Sequence, residues 1–351
     1  MRRSVGWIVA VLALLVAALA GAFMWASSGW DGVDPVSSMA AEITSSSSAP
    51  QPVPGKTLRV MTWNVAFGGG GSGTAMDVHE AAEVQGNLRA QALLIREADA
   101  DVVFLQEVDK PSDRSGEIDQ FQVLIELAGY AHGCYITTWN LNYLPMPVWP
   151  PSRQIGRVHS GQAILSRYPI EECIRIPMPQ PDENPSWYNR AYLHRSLQQA
   201  TVRLPGGIAL SVVNVHLESF SQSNREAQAR ILANVVDRLA LRGPLVVAGD
   251  FNALPTRAAQ KSGFTDEDTD FRTDQSIDIV WGASRMREVF LDDSPDNPEV
   301  DSFTFPSSAP TRRLDYIFAG GLDRSVRREV IRSDASDHFA VFAEFTNPAA
   351  P

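Results

Sequence analysis

Residues 246–252 read Val246-Val247-Ala248-Gly249-Asp250-Phe251-Asn252. A run of small apolar residues marks a buried strand. This one stops at Gly249 and throws an acid, Asp250, and an amide, Asn252, off its end. Taken alone, the pair reads equally well as a capped turn. Four other strand ends carry the same kind of cargo: Asn64, Glu107, His216 and the pair Asp337-His338. Five polar strand exits are too many for a set of turns.

Working outward, the spacing predicts strands over Leu58–Asn64, Asp101–Gln106, Ser160–Ser166, Gln198–Leu204, Ile208–Leu217, Leu245–Ala248, Arg313–Phe318, Arg327–Ile331 and Phe339–Phe345. Pro205-Gly206-Gly207 reads as the turn of a hairpin. Helical periodicity covers Glu80–Glu97, with Ala82, Leu88, Ala92 and Ile95 on one face, and Glu117–Ala128. A long helix is expected over Ser223–Leu241, with Ser223 as its N-cap, Glu226 three residues on and Gly243-Pro244 beyond its end. Gly68 to Gly71 lack the Lys-Ser/Thr ending of a phosphate loop and read as a permissive turn. Hairpins mixed with crossovers predict an α/β fold: a four-layer α/β/β/α sandwich of two packed mixed sheets with helices outside.

The front of the chain carries a different signal. Arg2 and Arg3 precede an uncharged apolar stretch from Val5 to Ala26, long enough to cross a bilayer as a transmembrane helix. The arginines place residues 1–4 in the cytoplasm and everything after the span outside. Ala18-Leu19-Ala20 also resembles a signal-peptidase site, so a cleaved leader is the alternative to a signal-anchor. Residues 27–56 are rich in Ser, Ala and Pro and read as an unfolded linker, spanning roughly 30 Å by coil scaling. The body is expected over 57–346, with a short tail at 347–351.

The chain has 351 residues, 44% hydrophobic and 20% charged, which suits one large domain or two small ones. Its net charge is −11, and setting aside Arg2 and Arg3 takes it to −13. Only Lys56, Lys110 and Lys261 are lysines, and no basic stripe is visible. That argues against extended nucleic acid as a partner. Two cysteines, Cys134 and Cys173, build no zinc site. They either stay as buried thiols or pair outside the cytoplasm, where closing such a loop adds at most about 4 kcal/mol.

The chemistry follows from the exits. Hard cations want oxygen ligands, and Mg²⁺ takes one or two carboxylates while keeping several waters. Glu107 is the strongest candidate ligand, helped by Asn64 and Asp337. His338 is the candidate general base, since imidazole titrates near neutral pH. No Gly-x-Ser-x-Gly elbow supplies a nucleophilic serine. In order, Trp63-Asn64, Leu105-Gln106-Glu107, Val213-Asn214-Val215-His216, Gly249-Asp250-Phe251-Asn252, Leu314-Asp315-Tyr316 and Ser336-Asp337-His338 resemble the endonuclease/exonuclease/phosphatase superfamily. That superfamily comprises deoxyribonuclease I-like, divalent-metal-dependent phosphoesterases, and the resemblance runs from Leu58 to about Phe345. It implies a Mg²⁺ or Mn²⁺ cofactor and direct attack by water on a phosphodiester or phosphomonoester. It also implies Asp315 as the partner of His338, Asp250 and Asn252 as orienting groups, His216 as a donor to phosphate, and Arg195 as a phosphate contact.

His216 stands where the AP-endonuclease branch typically has Tyr, and the inositol-phosphatase signature is absent around Asp315. The acidic charge favours a small or lipid phosphoester as substrate. The alternatives are an exported nuclease and, in another class, a non-catalytic phosphate-ligand binding module on the same fold. Residues 139–151 read as an apolar, proline-stiffened insertion: a packed loop, or a lid or membrane-touching wedge near the site. Residues 177–190 read as a facing wall.

Overall fold

Val246 to Ala248 lie in strand β9 (Leu245–Asp250), every residue of which is buried. The computed structural model describes residues 2–29, 42–45, 57–71, 77–283, 286–290, 299–323 and 325–346. Two sheets form the body. The first has the strand order β1 (Glu42–Ser45), β4 (His132–Leu144), β5 (Gly156–Ser166), β3 (Val102–Asp109), β2 (Thr57–Asn64), β13 (Ala340–Thr346), β12 (Ser325–Ile331), numbered along the chain. The second runs β10 (Arg287–Glu288), β11 (Asp315–Gly320), β9, β8 (Ala209–His216), β7 (Ser196–Arg203), β6 (Ile170–Pro177).

Each sheet holds one parallel pair, β2 with β3 and β8 with β9, inside otherwise antiparallel neighbours. A parallel pair needs a crossover. Helix α2 (Ala81–Ala98) supplies the first and α5 (Gln222–Ala240) the second. Helix α3 (Gln120–Ala128) joins α2, and α6 (Ser276–Gly282) joins α5. The strand period of two then sorts side chains into layers. On β2, Leu58 and Val60 enter the core between the sheets, while Met61 and Trp63 enter the core beneath α2. On β9, Val246 and Ala248 face the other sheet and Val247 faces α5. Each large apolar side chain so buried contributes roughly 1.5–3 kcal/mol. The result is the four-layer α/β/β/α sandwich the patterning predicts.

A buried polar seam crosses the central core. Gln106 Nε2 donates to Thr62 Oγ1 (3.1 Å) and Asn214 Oδ1 (2.6 Å). Asn214 Nδ2 donates to Gln198 Oε1 (3.0 Å), and Gln198 Nε2 to the carbonyl of Cys134 (2.9 Å). Cys134 on β4 and Cys173 on β6 form a disulfide, so the sheets are also joined covalently.

Several elements differ from the sequence expectation. Trp139 to Leu144 of the expected insertion belong to β4. Strands β4 and β6 were not anticipated, because β4 leads into a proline-rich loop and β6 is a half-exposed edge bearing Glu171, Glu172 and Arg175. Ser221, not Ser223, caps α5, its hydroxyl accepting from Asn224 N–H (3.3 Å). Helix α3 starts at Gln120 behind the Asp119 cap, because Glu117 takes a positive φ of 60°. Within the expected linker, Glu42–Ser45 is not free chain but pairs antiparallel with β4. Most of that linker and the 347–351 tail lie outside the described residues.

At the front, α1 (Arg2–Ala26) contains the apolar run Val5–Ala26, long and apolar enough to cross a membrane and not buried within the body. Its last turn touches the body. Asn142 N–H donates to the carbonyl of Ser28 (2.8 Å), and Asn142 Nδ2 to that of Trp25 (3.1 Å). Arg190 Nε donates to Ser27 Oγ (3.0 Å), and Phe23 packs edge-on against Trp187 of helix α4 (Ser186–Ala191) at 6.3 Å.

Candidate active site

Parallel pairing places the C-terminal ends of β2 and β3 on one edge, and those of β8 and β9 on one edge of the facing sheet. The antiparallel partners β11 and β13 begin where those strands finish: Asp315 sits opposite Asp250, and His338 lies just before β13. Six chain segments thus deliver polar residues to a common rim.

Three backbone irregularities aim them. Glu107 sits in a bulge, where β3 shifts register against β5 between Leu105 and Val108, with a φ of 54°. Bulges re-aim side chains in this way. Asn252 has a φ of 48°, and its N–H donates to Asp250 Oδ1 (2.9 Å). At Gly249, φ is 151° and a Cβ would lie 1.9 Å from the Val215 carbonyl oxygen, so no other residue fits before the acid. The glycine loop has a related use: Gly71 N–H donates to the carbonyl of Asp334 (2.8 Å), drawing in the segment that carries Asp337 and His338.

Two hydrogen bonds stitch the sheets together at the rim. Asn64 Nδ2 lies 3.1 Å from Asp250 Oδ2 and 3.2 Å from Glu107 Oε1. His338 Nδ1 lies 2.8 Å from Asp315 Oδ2. His338 Nε2 then faces Asp250 Oδ2 at 3.8 Å. His216 Nε2 stands 3.5 Å from the same oxygen and 3.9 Å from Glu107 Oε1. Phe305 packs at a tilt of 43° on the His338 ring with centroids 4.6 Å apart, and Trp63 Nε1 donates to the His338 carbonyl (2.8 Å).

Electrostatics divide these groups. Burial pushes Asp250 up to about 7, with His338 opposing and Asp315 adding to the rise. Burial likewise lifts Asp337 to about 6, with His338 opposing and Glu107 adding. Burial alone would lower His338, but Asp315 and Asp250 outweigh it and raise the imidazole to about 10. His216 falls well below the ordinary histidine value through burial and the charges of Arg195 and His338. This is a pocket with surplus negative charge.

The carboxylates suit a hard divalent cation, two of them pushed toward protonation chiefly by burial, while Asn64 presents Nδ2 to them and its Oδ1 accepts from Ala66 N–H (3.0 Å). Asp250, Asp315 and His338 also offer ligand atoms within 4.8 Å of one another. The 2.8 Å His338–Asp315 bond occupies Nδ1 and one oxygen of that set, which favours an oriented imidazole over a ligand pair. Glu107 is partly open to the cavity, its side chain 27% exposed, and is better placed for a cation.

Beside the acids lies a cavity of about 550 Å³, into which Glu107, His216 and Arg195 protrude. Arg195 precedes β7 and is buried. Its Nη2 donates to Ser219 Oγ (2.8 Å), and its Nε meets no hydrogen-bond partner among the described residues. Leu144 and Met146 form part of one wall, and Pro181, Glu183, Asn184 and Tyr188 part of the other. These are the expected insertion and facing wall.

Asn64, Glu107, His216, Asp250, Asp315 and His338 meet in this cluster, and Arg195 lines the adjoining cavity; Asn252 joins through its N–H while its Nδ2 donates to the Leu217 carbonyl (3.1 Å), and Asp337 feels the charges of His338 and Glu107. The sequence reading missed the seam of Gln106, Asn214 and Gln198 beneath it. Polar residues at inward positions of apolar strands were the available signal. It also missed Tyr192, whose hydroxyl donates to Glu218 Oε1 (2.6 Å) behind the cavity wall. Of the remaining histidines, His132 meets Ser45 and His159 meets Thr137.

Comparison with known proteins agrees with this geometry. A UPF0294 protein of Vibrio cholerae is 31% identical over 154 residues, covering 44% of this chain and 46% of the relative. The uncharacterized protein YbhP of Escherichia coli is 27% identical over 190 residues, covering 53% of this chain and 62% of the relative. The chain thus spans about half the length of the curated relatives it matches. Among solved structures, an endonuclease/exonuclease/phosphatase from Beutenbergia cavernae superposes with a TM-score of 0.58 at 23% identity, covering 83% of this chain and 72% of that one. Zebrafish (D. rerio) TDP2, complexed with single-strand DNA product, superposes at 0.56 with 17% identity, over 84% and 100%. These likenesses show the fold. The family model for the Endonuclease/Exonuclease/phosphatase family matches residues 61–338, from the strand that delivers Asn64 to His338 itself, and the chain belongs to that family.

Proposed function

We propose that this chain is a divalent-metal-dependent phosphoric ester hydrolase, held at the outer face of a membrane by α1. The observation that carries the reading is the His338–Asp315 pair at 2.8 Å, facing Asp250 and standing beside the Asn64–Glu107 contact. Glu107 and Asp337 would hold Mg²⁺ or Mn²⁺, with Asn64 joining them once its amide turns to present Oδ1. Such a cation supplies Lewis-acid polarisation of a phosphoryl oxygen and neutralises the surplus charge that keeps His338 protonated.

The side chains then have complementary tasks. His338 Nε2 takes the proton from the attacking water while Asp315 fixes the tautomer through Nδ1 and stabilises the imidazolium. Asp250 and Asn252 orient that water. His216, kept neutral by its surroundings, donates Nε2–H to a non-bridging oxygen. Arg195 offers an under-used guanidinium edge to the phosphoryl group. The water oxygen bonds to phosphorus, the ester oxygen leaves and takes a proton, and no phosphoenzyme forms.

Two observations support that compartment. Arg2 and Arg3 before the span favour an outward-facing body, and the Cys134–Cys173 disulfide suits an oxidising compartment. The −13 charge beyond the span disfavours long nucleic acid as substrate. The direct test is hydrolysis of bis(p-nitrophenyl) phosphate and p-nitrophenyl phosphate by the full chain in Mg²⁺, with EDTA and His338→Ala as controls. Turnover that ignores both controls would reject the proposal.

A further inference from the structure

The cavity is larger and more apolar than a phosphate needs. At about 550 Å³ it matches pockets that enclose drug-sized molecules. Its charged lining includes Glu107, Arg195 and His216, with Arg114 and Glu183 also reaching it. Leu144, Met146, Tyr188 and Leu193 line it elsewhere, and Phe220 stands at its edge with 77% of its surface exposed. A bare phosphoryl group would leave that apolar lining wet.

Several exposed apolar residues adjoin this lining in the chain, whereas Leu241 (89% exposed) and Val326 stand alone elsewhere on the body. Val148 is 75% exposed and Trp149 80%, on the loop that continues from Met146. Trp187, beside Tyr188, is 60% exposed. Isolated surface hydrophobes need no explanation, but several flanking one cavity do. The Val148–Trp149 loop is built rather than loose: Ile155 N–H donates to the Met146 carbonyl (2.8 Å) and Gln154 Nε2 to that of Val148 (3.2 Å).

The last turn of α1 identifies what covers this mouth. A spanning helix leaves the bilayer where its apolar run ends, here at Ala26. That end is fastened to Asn142 on β4, to Arg190 and to Trp187. Asn142 is seven residues before Trp149, so the two lie within about 25 Å along even a fully extended chain. A bilayer crossed by α1 would thus have its interface within reach of Trp149 and Trp187, tryptophan being a residue enriched at such interfaces.

Resting on the phosphoesterase reading above, we propose that Val148, Trp149, Trp187 and Phe220 rest on the bilayer that α1 crosses. The cavity then receives an amphiphilic phosphoester from it, phosphate toward Glu107 and Arg195 and apolar chain along Leu144, Met146 and Tyr188. Hydrolysis follows the chemistry already given.

Two probes with one scissile bond test this. The full chain is reconstituted in nanodiscs of phosphatidylethanolamine and phosphatidylglycerol in equal parts, with Mg²⁺. Methyl p-nitrophenyl phosphate is supplied in water, and hexadecyl p-nitrophenyl phosphate in the bilayer. In both, water attacks phosphorus, p-nitrophenolate departs and an alkyl phosphate remains. The hexadecyl ester is expected to be preferred at least about tenfold in kcat/KM. The paired substitutions Val148→Asp and Trp149→Asp should reduce that ratio by at least about fivefold. Equal rates for the two esters, or a ratio indifferent to the substitutions, would overturn the proposal. Failure to cleave either ester would instead remove the phosphoesterase reading on which it rests. Contact is read separately with an environment-sensitive NBD dye on Trp149→Cys, against Val326→Cys on β12, the opposite edge strand of the first sheet. A blue-shifted emission at 149 alone is expected; matching emission at both positions would refute the docking.

Discussion

The two parallel-strand units of this molecule are built alike and carry different cargo. In the first, β2, α2 and β3 deliver Asn64 and Glu107, an amide and an acid. In the second, β8, α5 and β9 deliver His216 and Asp250, an imidazole and a buried acid. The scaffold is nearly repeated: a parallel pair, one crossover helix and an apolar layer beneath it. What differs is the cargo near the C-terminal end of each strand, which on β3 is carried in the bulge at Glu107. On the proposed function, the first unit would supply donors for a cation and the second groups that orient and donate protons. The fold therefore sets where chemistry happens, and a few strand ends set which chemistry it is.

That division can be broken in several ways. The largest effect should come from chelation: EDTA is expected to abolish hydrolysis and added Mg²⁺ or Mn²⁺ to restore it. A rate indifferent to chelator would leave the first unit without its assigned role. Next, His338→Ala and Asp250→Ala should each lower kcat by at least ~10², the scale of a lost acid–base or orienting group. Excess Mg²⁺ should not repair either, whereas Glu107→Gln should be partly repaired by it. Equal rescue of all three in a metal titration would erase the distinction between the units.

Stability tests sharpen the same contrast. Gly249→Ala forces a Cβ toward the Val215 carbonyl, so a loss of about 3 kcal/mol in urea unfolding is expected, confined to the second unit's turn. Asn214→Leu leaves Gln106 and Gln198 without their shared partner between the sheets, at a cost of about 1–3 kcal/mol. A neutral result would mean the seam does not couple the units.

The smallest effect concerns pH in chelator. His338, raised to about 10, contributes stability that is complete below the unfolded value of 6.5 and lost as pH rises through 10. Asp250, raised to about 7 from 3.8, is stabilising as the neutral acid and loses that contribution as pH rises across this interval. Both have the same sign, so the urea midpoint of the metal-free protein should fall between pH 6 and pH 9. A rising midpoint would mean that other groups dominate.

Much of the site was legible because strand ends expose their cargo at a visible change of pattern. Val246 to Gly249 end in Asp250, and Val213 to Val215 surround Asn214 and end in His216. The doubly buried strands announced themselves as continuous apolar runs. Strand β6 did not, because its outward positions carry Glu171 and Glu172 and its apolar face is short. The start of α5 was misread by two residues, since Ser221 and Ser223 are equally good caps and only the surrounding chain selects between them. The pairing of Cys134 with Cys173 was open, because it depends on β4 and β6 meeting across the sandwich. The seam of amides was invisible as a unit, since its members lie on separate strands and meet only after both sheets form.

The Cys134–Cys173 bridge gains a mechanical meaning from that seam. Gln198 donates to the Cys134 carbonyl at one end and accepts from Asn214 at the other, so covalent bolt and amide chain run through the same interior. The rim contacts Asn64–Asp250 and His338–Asp315 each have one foot on either leaf. Sliding one leaf past the other by a single pleat would sever both rim contacts together. A reducing agent should therefore blunt turnover before it melts the protein, because alignment fails at smaller displacements than cohesion does.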